Sequence, residues 1–306
     1  RTERRNEMFF ELLRALLSGI IEGITEWLPV SSTGHLIIIN AIPALELGSS
    51  LPGEFRAEFC EMFEVVIQLG AIMAVVVFFF DRLYPFGRKS HPKTAAESRA
   101  SLMLLAKIAV ASLPAAAAGL AADRLLEHFT GCGLHALLYT PPVVASALII
   151  YGIFFIAVER LRRGKAPAVE SVNDITFANA LLIGAFQALA IIPGTSRSGS
   201  TVLGACCLGI SRTAAAEFSF FMAIPAMLGA SLIKGAKFCR FLAASGETLP
   251  AAETAALAAA FVTAFAVSVA TVRFLLDFVK RHTFSAFGVY RILLGIAVIA
   301  WFGLKK

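Results

Sequence analysis

Residues 22 to 35 read EGITEWLPVSSTGH. Glu22 and Glu26 are four apart, so on a helix they share one face, with Ser18 a turn earlier and Thr25 beside them. If that helix lies within a bilayer, each ionised carboxylate costs about 3 kcal/mol, and the pair roughly 6. That rivals the net stability of an ordinary domain. It calls for a compensating cation, a divalent metal or a proton held on one of the two. Next come Pro29, Val30, Ser31, Ser32, Thr33, Gly34 and His35. Pro29 predicts the end of the first helix, and the hydroxyls from Ser31 to Thr33 can cap the next. A capped turn explains the serines, and a solvated interfacial face would explain the carboxylates. Neither explains His35. A Ser or His beside a carboxylate is also the kit for nucleophilic attack, the carboxylate orienting or deprotonating the nucleophile.

A second polar stretch, PGTSRSGST at 193 to 201, supplies the complement. It sets Gly194, Ser196, Ser198, Gly199 and Thr201 around Arg197. Glycines let backbone N–H groups turn inward, helix N-termini favour anions, and the guanidinium fork fits phosphate bidentately. No GK[ST] follows, so this is not a Walker loop. A structural turn with one snorkelling Arg is the alternative. Together the two stretches offer acid, base, nucleophile and oxyanion cradle, which suits phosphoryl transfer to water in a membrane-embedded pocket.

The elements that must position them are helices in lipid. Of 306 residues 58% are hydrophobic and 16% charged, with a mean hydropathy of +0.78, outside the range of a soluble globular domain. Long continuous apolar runs, rather than ten-residue alternating segments, exclude a transmembrane barrel. The fold class expected is all-α: a polytopic membrane protein with about six transmembrane helices plus two re-entrant helical hairpins. Apolar segments fall at 8–28, 35–47, 62–80, 101–121, 134–158, 177–193, 198–211, 216–233, 255–276 and 285–303. Segments 35–47, 177–193 and 198–211, with the Glu-bearing 8–28, are too short or interrupted to span comfortably. They flank the two polar motifs, which predicts hairpins whose loops are enclosed by protein or line a cavity. No cleavable signal peptide is evident.

The hairpins resemble each other. Setting Gly19 against Gly184 places Glu22 on Gln187, Ser31 on Ser196, Ser32 on Arg197, Thr33 on Ser198 and Gly34 on Gly199. With three spans after each hairpin, the single membrane domain is read as an inverted-topology repeat, with halves at about 8–158 and 176–303. Arg82, Arg88, Lys89, Lys93 and Arg99, then Arg160, Arg162, Arg163 and Lys165, mark two cytoplasmic loops, whereas 122–133 carries only Arg124. The first hairpin then opens to the outside and the second to the inside. Arg1, Arg4, Arg5, Lys234, Lys237 and Arg240 fit that orientation poorly. The net charge of +6 sits between apolar segments and at the ends, so it reads as topology and not as a nucleic-acid surface.

Other signals are weaker. Arg291, beside Tyr290, and Arg273 either neutralise phosphate or snorkel from helix ends. Glu64 with Gln68, Glu217 with Phe221 and Ser219 nearby, Lys107 and Gln187 either line the pocket or tie helices together. His91, His128, His135 and His282 read as solvated or interfacial. The five cysteines, Cys60, Cys132, Cys206, Cys207 and Cys239, show no CxxC spacing and read as packing residues.

The long motifs EGITEWLPVSSTGHL and PGTSRSG, with EFSFFMAIP from Glu217 to Pro225 and YRILLG from Tyr290 to Gly295, resemble the undecaprenyl-diphosphatase family. These are the integral membrane phosphatases of the bacitracin-resistance type, and the likeness covers nearly the whole chain. It implies hydrolysis of undecaprenyl diphosphate to the monophosphate and inorganic phosphate, recycling the lipid carrier of peptidoglycan synthesis in the bacterial inner membrane. The site would open to the periplasmic or outer face. The family's acidic motif maps onto Glu22 and Glu26, its Ser and His onto Ser32 and His35, and its arginine motif onto Ser196, Arg197 and Thr201. Ser31, Thr33, Gly194 and Ser198 join the substrate-binding set. Divalent-metal dependence is implied too, with Mg²⁺ or Ca²⁺ on Glu22 and Glu26. The chain departs from the common pattern at Trp27 and in an insertion around 48–58. Expected partners are the polyprenyl diphosphate and membrane lipid, with a homodimer as an option and no nucleic acid.

In the mechanism expected, Ser32 attacks the terminal phosphorus, Glu26 or His35 takes its proton, and Arg197 holds the developing charge. His35 as nucleophile is the rival. A transporter would use the same inverted repeat and intramembrane carboxylates, but transport alone does not call for Ser32 and His35 beside them. A structural scaffold leaves the buried carboxylates without a purpose.

Overall fold

The computed structural model describes residues 2–39, 47–48, 51–87, 92–130 and 138–304. The expectations on Arg1, Arg88, Lys89, His91, Cys132 and His135, the far end of segment 35–47 and part of the 48–58 insertion lie outside the described residues. Those that remain are helical apart from turns and one isolated bridge between Val169 and Ile210.

The helices are α1 (Thr2–Thr25), α2 (Ser32–Ile39), α3 (Gly53–Phe78), the one-turn α4 (Phe80–Leu83), α5 (Ala95–Thr130), α6 (Pro141–Arg162), α7 (Phe177–Ala188), α8 (Arg197–Cys207), α9 (Arg212–Ser245), α10 (Ala251–Arg281) and α11 (Ser285–Gly303). Their starts follow the sequence. Thr176 accepts the Asn179 N–H and Ser211 that of Ala214, each removing an orphan donor of a first turn. Pro141 and Pro142 open α6, where a missing N–H costs nothing. Gly246, in the left-handed region, closes α9.

Among the described residues six helices are long and apolar enough to cross a membrane: α3, the stretch of α5 from Ala95 to Ala122, α6, α9, α10 and α11. They are the six spans expected, and the protein is an all-α, multi-pass membrane protein. Their outward faces carry large apolar side chains such as Leu232, Ile233, Val262 and Leu293, all more than half exposed. A lipid-facing surface needs no polar cover. Helices α7 and α8 have 12 and 11 residues, well short of the roughly 20 needed to cross as a helix.

The long helices pack pairwise: α1 along α10, α5 along α7, α6 along α11, and α3 against both α9 and α10. Exchanging α1, α2, α3, α5 and α6 for α7, α8, α9, α10 and α11 turns the α1–α10 contact into α7–α5. It turns α2–α11 into α8–α6, and leaves α3–α9 and α6–α11 as themselves. All of these contacts are present.

Glycines set the closeness of approach. A Cβ on Gly19 would stand 2.7 Å from the Ala260 carbonyl oxygen, and one on Gly184 only 2.0 Å from that of Ala111. Gly152 and Gly288 lie so close that a Cβ on either would meet the other's carbonyl oxygen within 2.7 Å. Such small-residue contacts let helix backbones touch where lipid supplies no hydrophobic drive. Gly184→Ala must push α7 away from α5, and we expect it to destabilise the protein by about 1–3 kcal/mol. Gly119→Ala, where a Cβ meets nothing within 4 Å, is expected to be neutral or mildly stabilising. Thermal unfolding of both variants in detergent checks the contrast; equal midpoints would refute the close-contact reading.

Candidate active site

Two breaks in helical structure face each other at the centre of these contacts, one between α1 and α2 and one between α7 and α8. They share a local build. Ser31 (φ 73°) and Ser196 (φ 69°) are the non-glycine residues with positive φ among the described residues, a conformation that costs on the order of 1–3 kcal/mol. Each then caps the helix it opens. The Ser31 hydroxyl accepts from the Gly34 N–H at 3.4 Å and the Ser196 hydroxyl from the Gly199 N–H at 3.1 Å.

Arg197, the first residue of α8, reaches across to the other break. Its Nε and Nη2 donate to Glu26 Oε1 at 3.3 and 3.1 Å, and its Nη1 donates to the Ser219 carbonyl at 2.8 Å. The guanidinium carbon lies 6.0 Å from the Trp27 ring centroid, within cation–π range. Thr201, one turn on and fully buried, places its hydroxyl 2.6 Å from that of Ser219. Ser198 donates to the Leu28 carbonyl at 3.3 Å and lies 3.1 Å from the Ser196 hydroxyl. Glu26, Ser196, Arg197, Ser198 and Thr201 are therefore in one place, although 171 positions separate Glu26 from Arg197.

Glu22 is 1% exposed and its Oε1 has no hydrogen-bond partner. It lies within electrostatic reach of Glu26, Glu64 and Arg197. A buried unpaired carboxylate oxygen is expensive. Among the described residues no three His, Cys, Asp or Glu side chains gather to hold a metal. The arrangement still suits Mg²⁺, which is bound through one or two carboxylates plus substrate phosphate and keeps several waters. Glu22 and Glu26, on adjacent turns, would supply those carboxylates.

Among the described residues His35 has no hydrogen bond to either carboxylate. Its Nδ1 is 2.8 Å from the Ser31 carbonyl oxygen and its Nε2 is 2.6 Å from the Tyr290 hydroxyl. Thr33 stands 3.5 Å from the Tyr139 hydroxyl. Ser32 is half-buried in the first turn of α2. Among the described residues its hydroxyl has no hydrogen-bond partner, so none joins it to Glu26 or His35.

The glycine loop differs from the anticipated cradle of inward N–H groups. Gly194 (φ 95°) packs so tightly that a Cβ would lie 2.5 Å from the Val144 carbonyl oxygen. The carbonyls of Gly194 and Thr195, not their N–H groups, face inward, toward Arg291. That residue is fully buried; its Nη2 donates to both carbonyls at 2.7 and 2.8 Å, and its Nη1 donates to Pro29 at 3.1 Å. The guanidinium also lies 5.5 Å from the Tyr151 ring centroid. So Arg291 neither snorkels nor faces the Glu26–Arg197 pair: it stitches the two breaks together. Its signal in the sequence was a lone cation inside an apolar helix. Tyr290, Tyr139 and the carbonyl of Ser219 carried no comparable signal, since aromatic and small residues are unremarkable in so apolar a chain.

A multi-span helical membrane protein with a buried carboxylate–guanidinium pair at two apposed helix breaks is the class that fold and site define. The chain belongs to the family described as bacitracin resistance protein BacA, whose family model matches residues 15–297. It is 47% identical over 300 residues to an undecaprenyl-diphosphatase of Streptococcus mutans, covering 98% of each chain. It is 45% identical over 295 residues to one from Enterococcus faecalis (96% of this chain, 98% of the relative). A third, from Acetivibrio thermocellus, is 44% identical over 292 residues (95% and 98%).

Proposed function

We infer that this protein is an undecaprenyl-diphosphatase. It hydrolyses undecaprenyl diphosphate to undecaprenyl phosphate and inorganic phosphate, recycles the lipid carrier for peptidoglycan synthesis and confers resistance to bacitracin. The observation that carries the chemistry is Arg197 paired with Glu26 across the two breaks, because a guanidinium fork already held in low dielectric is what a diphosphate needs.

In the reaction Arg197, with the N–H groups at the start of α8, receives the terminal phosphate. The Ser32 hydroxyl attacks phosphorus. Glu26 or His35 takes its proton as the bridging P–O bond breaks and undecaprenyl phosphate departs, and water then releases the phosphate from Ser32. Attack by His35 remains the rival, and a phosphate adduct trapped on His35 would end the serine version. Glu22 and Glu26 hold the divalent cation, which when bound neutralises diphosphate charge. The two short helix pairs are re-entrant hairpins of an inverted repeat in the bacterial inner membrane, the first opening toward the periplasm. The prenyl tail lies along the apolar helix faces.

Purified protein in detergent should release inorganic phosphate from a long-chain prenyl diphosphate with Mg²⁺ or Ca²⁺, and chelation with EDTA should reduce the rate. Glu22→Gln should raise the metal concentration needed for half-maximal rate about tenfold or more, as expected from loss of one of two carboxylate ligands. Folded protein that releases no phosphate with either metal would favour the transporter reading. A rate indifferent to EDTA would remove the metal.

A further inference from the structure

We infer that Tyr290 is the positioning residue for His35, holding the imidazole with its Nε2 lone pair oriented on the Tyr290 hydroxyl until substrate displaces that hydroxyl. The carbonyl of Ser31 can only accept a hydrogen bond, so His35 Nδ1 at 2.8 Å carries the proton. In the neutral ring Nε2 must then be the acceptor. The Tyr290 hydroxyl, 2.6 Å from Nε2, is the donor that faces it. The two rings lie within 12° of parallel with centroids 5.7 Å apart, so stacking and hydrogen bonding fix one orientation together.

The backbone explains why this pair is so well placed. At the matching break the Ser196 carbonyl accepts from the Ser200 backbone N–H at 2.9 Å. At the first break the equivalent carbonyl, on Ser31, holds the side chain of His35 at 2.8 Å. Tyr290 comes from α11, 255 positions away, and the next residue, Arg291, is locked to carbonyls of both breaks. The turn of α11 that ties the breaks together therefore also aims the Tyr290 hydroxyl at His35. Whichever part His35 plays, base or nucleophile, Nε2 is the nitrogen left to play it. Tyr290 keeps that nitrogen oriented until substrate takes its place.

Tyr290→Phe keeps the ring and removes only the hydroxyl, so packing alone predicts no change. The positioning role rests on the phosphatase reading for its kinetic arm. It predicts kcat for phosphate release lowered about tenfold, the upper worth of one hydrogen bond, with KM within about twofold. In a His35→Gln background the same substitution should have no further effect, since Tyr290 acts through His35. An unchanged kcat, or an equal fall in both backgrounds, overturns the inference. A spectroscopic arm is independent of turnover. Imidazole ¹⁵N shifts of histidine-labelled protein, with His35 assigned by difference against His35→Gln, should show a neutral ring protonated at Nδ1. They should also show an Nε2 shift that changes in Tyr290→Phe. A ring protonated at Nε2, or an Nε2 shift indifferent to Tyr290→Phe, overturns the inference whether or not His35→Gln retains measurable turnover. Wild-type protein that releases no phosphate yet shows the expected shifts would sink the phosphatase reading alone.

Discussion

Arg197→Ala is expected to lower kcat for phosphate release by about a hundred- to a thousandfold, the usual consequence of removing a preorganised donor from a charge-stabilising site. The guanidinium already spends three donors on Glu26 and the Ser219 carbonyl, so its orientation is set before substrate arrives. A diphosphate then meets a fork that needs little reorganisation. Arg197→Lys keeps the charge but loses the fork, and we expect it to recover less than a tenth of the wild-type rate. Stability separates catalysis from folding. Alanine leaves Glu26 buried without its cation, a loss on the order of 3–5 kcal/mol. Arg197→Ala combined with Glu26→Gln removes the orphaned charge and should regain much of the thermal midpoint without regaining activity. Phosphate release and thermal unfolding on the same preparations check both halves. Activity within threefold of wild type in Arg197→Ala would mean that the phosphate is held elsewhere.

The fold was legible because lipid leaves few options: uninterrupted apolar runs must be helices. The six spans expected coincide with the six long apolar helices among the described residues, with ends shifted from none at Ser285–Gly303 to about three turns at the C-terminal end of Arg212–Ser245. The ends moved where caps and helix-compatible polar residues extended an apolar core, as at Gly53–Phe78 and Arg212–Ser245. The carboxylate and arginine motifs were legible because charged residues in such a chain demand a reason. Less was visible where function is carried by backbone. Nothing in PGTSRSGST says that the Gly194 and Thr195 carbonyls, and not their N–H groups, turn inward. That depends on the positive φ of Gly194 and on a cation delivered from α11. Gly19 and Gly184, set against each other by sequence register alone, both lie where another helix leaves no room for a Cβ. That closeness depends on partners, Ala260 and Ala111, which no local pattern names.

Arg291→Met should cost about 3–5 kcal/mol of stability, as breaking a buried charged network does, and should take activity down with it. Three buried carbonyls, on Pro29, Gly194 and Thr195, would lose their donor at once. Each such loss is worth about 1–3 kcal/mol before relaxation. Methionine fills the volume against Tyr151 and Phe155 but offers no hydrogen. Arg291→Lys keeps a charge on one nitrogen, which cannot reproduce a fork whose two arms serve different breaks; it should fall between wild type and methionine. Arg197 and Arg291 are both arginines at the same pair of breaks, yet they hold different groups. Losing Arg197 should lower turnover about a hundred- to a thousandfold in a protein whose stability the Glu26→Gln partner change can largely restore, whereas no single compensating change can serve the carbonyls that Arg291 leaves behind. Thermal unfolding in detergent, with activity measured below the midpoint, decides the matter. If Arg291→Met melts with wild type, the breaks are held together by helix packing alone, and the backbone strain at Ser31 and Ser196 must be supported by α6 and α11 without the clamp.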